Sequence, residues 1–217
     1  IILCASTFVS KSLQYNNINI NKICISPYGS PRYNFIYNQP DVNNYYAINL
    51  SFVGQFVIRK GVFELVKLIS ERSDISLSIY TRDSDYAIQC VTKWIGCLPE
   101  NLKIINNPKS KVLWEGVTSS DFLILPSIAE GFGYVILEAM SMSIPVISSR
   151  NSAGPDIIKD EINGYLIDGI YDYDISITID RIIANKKKWP ILKKNALKTA
   201  KNFTWKNFGK KVNKAIA

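Results

Sequence analysis

From Ile48 to Ile167 the chain alternates short apolar runs with helical segments, and this alternation constrains its fold more than any other feature. Ile48–Val53 is apolar and β-prone, and Gly54 ends it. Residues 60–71 then place apolar side chains at 62, 63, 65, 66, 68 and 69, a broad helical stripe. Ile75–Tyr80 alternates at period two, which predicts a strand, and residues 84–95 predict a helix stopped by Gly96. Further strands are expected at Leu102–Ile105, Phe122–Leu125, Pro145–Ser148 and Gly164–Ile167. Helices are expected at 111–119 and 134–142, with a helical turn at 155–159. Short, continuously apolar strands joined by helices make a parallel sheet covered on both faces, so the fold class is α/β, doubly wound. Such sheets bind ligands at the carboxyl ends of their strands. The loops at 54–60, 81–83, 106–109, 126–133 and 149–155 are therefore expected to surround a site.

Composition narrows the chemistry. The 217 residues are 47% hydrophobic and 20% charged, which excludes a disordered chain, a collagen and a disulfide-stapled miniprotein. There is no histidine, so this chain holds no His-ligated zinc, no Ser-His-Asp triad and no Cys-His dyad. Cys4, Cys24, Cys90 and Cys97 are scattered and are expected to be buried free thiols in a reducing cytoplasm. The most apolar stretch, Phe122–Ser148, contains Glu130, Glu138, Pro126 and Pro145, and reads as buried core rather than a membrane span. The net charge of +8 is uneven: residues 181–217 carry Arg181 and eleven lysines with no acidic residue.

The ends of the chain fit the repeating unit less well. Ile2–Ser6 could form a strand, residues 26–47 read as a linker, and the sequence before Ile48 is expected to supply at most one strand. Asp172 onward is helical, with Pro190 at one helix start and Thr204 as the N-cap of 205–216. The expected division is 1–40, the end of a preceding domain and a linker; 41–180, the ligand-binding domain; and 181–217, C-terminal helices packing back toward the preceding domain. The chain starts at Ile1 without Met and is expected to be part of a longer protein.

Residues 126–140 carry the chemistry: a buried strand ends in Pro126-Ser127, a glycine loop follows, and a helix begins. Gly131 and Gly133 permit close backbone approach, and a helix start offers unpaired amides to an anion. Glu130 and Glu138 flank that anion site, with Glu138 expected on the second helical turn. A carboxylate in an apolar run is costly unless paired or bound to ligand, and it accepts two hydroxyl hydrogen bonds at once. Sugar or ribose hydroxyls are the matching partner.

Glu130-Gly131-Phe132-Gly133-Tyr134-Val135-Ile136-Leu137-Glu138-Ala139-Met140, followed by Ile144–Ser149 and Asn151–Ile158, resembles the signature of the retaining glycosyltransferases of family 4, the glycosyl transferases group 1. Phe52-Val53-Gly54 with Lys60-Gly61, the linker Ile25–Ser30, and the last helix from Phe203 to Ile216 extend the resemblance. It implies a Rossmann-like sheet as the C-terminal half of a GT-B fold. It also implies an enzyme that moves a sugar from a UDP- or GDP-linked donor to a glycan or lipid-linked acceptor with retention, in polysaccharide biosynthesis, needing no cofactor. On that resemblance Glu138 would bind the ribose hydroxyls and Glu130 the donor sugar near its anomeric centre. The amides of Phe132, Gly133, Tyr134 and Val135 would face the sugar and diphosphate, Gly54 and Gly131 would also line the donor site, and Lys60 would neutralise diphosphate charge. The base would rest near the loop after Ile105. The sequence departs from the family at Gln55, where an arginine is usual; Arg59 stands beside Lys60.

Competing readings follow from the same residues. One is a non-catalytic nucleotide-sugar-binding module. Another is a glycoside hydrolase using Glu130 and Glu138; against it, a continuous helix would separate their backbones by roughly 12 Å at ~1.5 Å per residue. Asp83-Ser84-Asp85 has the letters of a metal motif without its setting, so no metal site is expected. The basic tail reads as a solvated helix face over a buried one formed by Trp189, Leu192, Ala196, Ala200 and Phe203. Peripheral contact with the inner membrane face is the alternative, and no aromatic-interleaved basic surface supports nucleic acid.

Overall fold

A computed structural model describes residues 1–31, 46–106 and 109–216. The expected domain boundary at 40/41, most of the linker at 26–47, and positions 107 and 108 of the loop after Ile105 lie outside the described residues.

The N-terminal segment holds more structure than expected. It forms strand β1 (Ile2–Cys4), helix α1 (Thr7–Tyr15) and strand β2 (Ile23–Ile25), and the two strands pair in parallel. Three-residue strands and a nine-residue helix carry too few apolar positions to show a period, so the sequence signals at most one strand here. Ser6 is the N-cap of α1: its hydroxyl accepts from the Val9 amide at 3.2 Å.

The main sheet follows the expected alternation closely. In order come β3 (Ile48–Val53), α2 (Val62–Glu71), β4 (Ile75–Thr81), α3 (Ser84–Ile95), β5 (Leu102–Asn106) and α4 (Ser110–Thr118). Then come β6 (Phe122–Leu125), α5 (Val135–Ser141), β7 (Val146–Ser149), α6 (Gly154–Ile157) and β8 (Gly164–Ile167). The six strands are parallel in the order β5-β4-β3-β6-β7-β8. Chain order therefore runs outward in both directions from the β3–β6 pair. Helices α7 (Asp172–Ala184), α8 (Trp189–Asn202) and α9 (Trp205–Ile216) complete the chain.

The core explains the strand composition. Ile48, Leu50 and Phe52 of β3 and all four residues of β6 are buried, against Val62, Leu65, Val66 and Ile69 of α2 and Ile136, Leu137 and Met140 of α5. Each such side chain contributes about 1.5–3 kcal/mol by leaving water. Helix α8 lies against α5 with Trp189, Leu192, Ala196 and Ala200 buried. Arg72 pins α7 to the turn before β4 through Asp74 at 2.8 and 2.9 Å, Ser176 at 3.0 Å and Asp180 at 2.9 Å.

Four expectations are corrected. Helix α2 begins at Val62 rather than at residue 60, because Gly61 takes a left-handed φ of 67° and separates it from the 3-10 turn Ile58–Lys60. Helix α5 begins at Val135, so Glu138 stands on its first turn, not its second. Residues 130–134 are loop, so a helical rise does not set the separation of Glu130 from Glu138, and that argument against a hydrolase lapses. All four cysteines are free, but only Cys4 is buried and Cys97 is exposed. Among the described residues no helix is long and apolar enough to cross a membrane.

Candidate functional site

The reversal of strand order between β3 and β6 opens a crevice at their carboxyl ends, where a doubly wound sheet can admit a ligand without breaking its hydrogen bonds. Two loops meet there, 54–61 after β3 and 126–134 after β6. Their main chains are joined: the Ile128 amide donates to the Arg59 carbonyl at 2.9 Å, and Ala129 to the same oxygen at 3.5 Å. A third loop, after β7, is tied to the second. Glu130 N donates to Asn151 O at 2.8 Å, Ala153 N to Phe132 O at 3.1 Å, and Ser149 Oγ to Ser127 O at 2.6 Å. The crevice therefore has a cross-braced floor.

The glycines in these loops do different work. Gly133 has a φ of 76°, and a Cβ there would meet Leu125 Cδ2 at 2.7 Å, so no other residue fits without a shift. Gly131 is exposed, and a Cβ would find only Val9 at 3.8 Å. A Cβ on Gly54 would make ordinary contact with the Phe52 ring at 3.4 Å and lie 3.9 Å from Lys60 Cε. Open space, not backbone geometry, characterises positions 54 and 131.

The charges converge on one carboxylate. Lys60 Nζ donates to Glu130 Oε2, and Arg59 Nη1 approaches the same oxygen at 3.3 Å while also donating to Ala129 O at 3.1 Å. The Lys60 and Glu130 side chains are each only 15% exposed, whereas that of Arg59 is 51% exposed. Two cations therefore share one anion at the mouth of the crevice. The resemblance gave Lys60 and Glu130 separate roles; the structure brings them together directly.

Beyond Glu130, the main-chain amides of Gly131, Phe132, Gly133, Tyr134 and Val135 donate to no protein acceptor among the described residues. Tyr134 is the N-cap of α5, and its phenol donates to Gly29 O at 2.9 Å. Glu138 is half-buried on the same helix. Burial raises the Tyr134 pKa, and the nearby Glu138 charge raises it further. Asp83 is spent locally, capping α3 by accepting from Tyr86 N at 3.1 Å. Among the described residues no group of three or more Cys, Asp or Glu could hold a metal ion.

Several contacts at the site were not read from the sequence. Thr7 donates to Asp156 of α6 through its amide at 2.7 Å and through its hydroxyl, and Ser6 Oγ donates to Gly131 O at 2.5 Å. The N-terminal segment is thus fastened over the glycine loop. Tyr28 of the linker packs against Phe132, Tyr134, Trp205 and Phe208, and Ser26 Oγ donates to Phe208 O at 3.4 Å, so α9 reaches this segment. Gly154-Pro155 before Asp156 marked a helix start, but nothing in the sequence marked its partner.

Comparison with known proteins agrees with this architecture. A family model described as "Glycosyl transferases group 1" matches residues 46–199. An uncharacterized glycosyltransferase of Methanocaldococcus jannaschii is 28% identical over 216 residues, covering 94% of this chain and 55% of its own length. Among solved structures, the apo form of the lipopolysaccharide outer core galactosyltransferase WaaB superposes with a TM-score of 0.79 at 22% identity, covering 99% of this chain and 60% of that one. Anabaena HepE in complex with UDP-glucose gives 0.77 at 14% identity, covering 100% of this chain and 63% of that one. At these identities the two likenesses show the fold. The chain spans little more than half the length of the archaeal relative.

Proposed function

Because the chain belongs to the glycosyl transferases group 1 family, we propose that it supplies the donor site of a GT-B enzyme that transfers a hexose from a nucleotide-diphosphate sugar, with retention. The observation that carries this reading is the Lys60–Glu130 pair at the carboxyl-end crevice, followed by five successive amides that donate to no acceptor among the described residues. A cation and free amides suit a diphosphate, and a carboxylate beside them suits sugar hydroxyls.

In this reading the bond between the anomeric carbon and the diphosphate oxygen breaks and the leaving diphosphate gathers charge. Lys60 stabilises that charge, which is worth more at a sheltered site than in water. The acceptor oxygen forms the new bond on the same face of the sugar, and its proton passes to a diphosphate oxygen. Glu130 orients the sugar and Glu138 holds the ribose hydroxyls. Lys60 and the helix-start amides stand where other transferases use a metal, so no cofactor is needed. UDP and GDP are the candidate leaving groups, and the UDP-glucose complex of the HepE structure favours the first.

The acceptor, a glycan or a lipid-linked one in polysaccharide biosynthesis, would meet the donor from the side of α1, and residues outside this chain would complete that wall. The chain alone would then bind donor without transferring it. The lysines of α8 and α9 serve as a solvated face in this reading, with peripheral contact to an anionic membrane surface as the alternative. Calorimetric titration of the chain with UDP, GDP, their hexose conjugates and the free nucleosides tests the reading. Saturable binding of a diphosphate, and weak binding of its nucleoside, is expected; binding of none of them would overturn it.

A further inference from the structure

Arg59 has no role in the account above, yet it is placed as closely as Lys60. Both residues stand in the 3-10 turn Ile58–Lys60, and both reach Glu130 Oε2. The turn is held by the two amides bonded to the Arg59 carbonyl, so the guanidinium swings from a fixed base. Within loops 54–61 and 126–134, Arg59 and Lys60 are the cations and Glu130 is the anion. The cluster thus carries an excess positive charge.

We propose that Arg59 is the second diphosphate cation of this site, and that Glu130 holds both cations until the donor exchanges the partners. The diphosphate takes Arg59 and Lys60, and the released carboxylate turns to the hydroxyls of the donor sugar. This rests on the donor reading above. The planar guanidinium matches two phosphate oxygens at once, and a diphosphate carries more charge than the single carboxylate it displaces. Arg59 is half exposed in its contact with Glu130, and a pair with an exposed partner biases an equilibrium by less than about fivefold, so it yields readily. The Lys60–Glu130 contact is sheltered, and removing only one partner would leave an uncompensated charge.

That asymmetry gives Glu130 a selective role. A nucleotide sugar satisfies both sides of the broken pair, since phosphates meet the cations and hydroxyls meet the carboxylate. A bare nucleoside diphosphate satisfies only the cations and leaves Glu130 without a partner. Glu130 therefore favours donor over the spent diphosphate product and assists product release.

The test is calorimetry on the chain with UDP, UMP, UDP-glucose and inorganic pyrophosphate, the last carrying the charge with no base to recognise. Arg59→Ala should weaken UDP and pyrophosphate by about tenfold or more, with UMP changed by less than about threefold and Arg59→Lys recovering part of the loss. Glu130→Gln should do the opposite for UDP and pyrophosphate, tightening both severalfold while lowering the preference for UDP-glucose over UDP. Equal losses of UMP and UDP in Arg59→Ala, or unchanged or weaker UDP and pyrophosphate binding in Glu130→Gln, would overturn the exchange. If the wild-type chain binds no nucleotide but the two variants still shift pyrophosphate in opposite directions, the donor reading falls and the paired cations stand.

Discussion

Gly61 is packed against Pro126 so closely that a Cβ on the glycine would lie 2.0 Å from the proline's carbonyl oxygen. This contact joins the two loops of the crevice. With φ at 67°, Gly61 also holds a backbone conformation that a side chain resists.

Gly61→Ala therefore combines backbone strain with overpacking against a rigid carbonyl. We expect a loss of roughly 2–5 kcal/mol in unfolding free energy, from ~1–2 for the left-handed residue and ~1–3 for the clash. Chemical denaturation measures it. A loss below about 1 kcal/mol would show that the loops can part without cost.

Lys60→Ala should weaken binding of UDP far more than binding of uridine, because the ammonium acts on phosphate charge. Parallel titrations of the two ligands decide the point. Equal losses would mean that Lys60 only braces Glu130.

Glu138→Ala should lower nucleoside diphosphate affinity by roughly 1.5–3 kcal/mol, the range for hydrogen bonds to a charged group. The first turn of α5 tolerates alanine, so folding should survive. Unchanged affinity in a folded variant would remove Glu138 from the nucleotide site.

Nucleotide-sugar binding should persist in excess EDTA, since Lys60, Arg59 and the amides of residues 131–135 supply the positive potential. The readout is a titration with and without chelator. Complete loss that magnesium or manganese restores would replace this electrostatic scheme with a metal-bridged one.

Asp156→Ala removes both hydrogen bonds from Thr7 and should release the N-terminal segment from the glycine loop. Amide exchange over α1 should speed up by about tenfold or more, while β3 and β6 keep their protection. Unchanged exchange in α1 would show that the Ser6–Gly131 bond and the Tyr28 cluster hold the segment unaided.

What the sequence by itself determined was local and periodic. Strands β3 to β8 and helices α2 to α5 were legible because burying a strand or a helix face imposes a repeat of two or 3.6 residues on the side chains. Gly96 and Thr204 were legible as helix boundaries for a similarly local reason: Gly96 takes a φ of 93°, and Thr204 Oγ1 accepts from Asn207 N at 3.0 Å. Segments β1, α1 and β2 escaped because they are too short to repeat. The glycine loop with its flanking carboxylates marked the candidate site, while α5 starts at Val135, one residue beyond the expected 134, which puts Glu138 on the first turn. Only the tertiary structure decided which residues meet. Lys60 and Glu130 are 70 positions apart, and Thr7 and Asp156 are 149 apart. They touch because the order of the sheet sets β3 beside β6 and because the N-terminal segment folds back over the crevice. Neither condition leaves a trace in local periodicity, since strand order is chosen by the packing of whole layers.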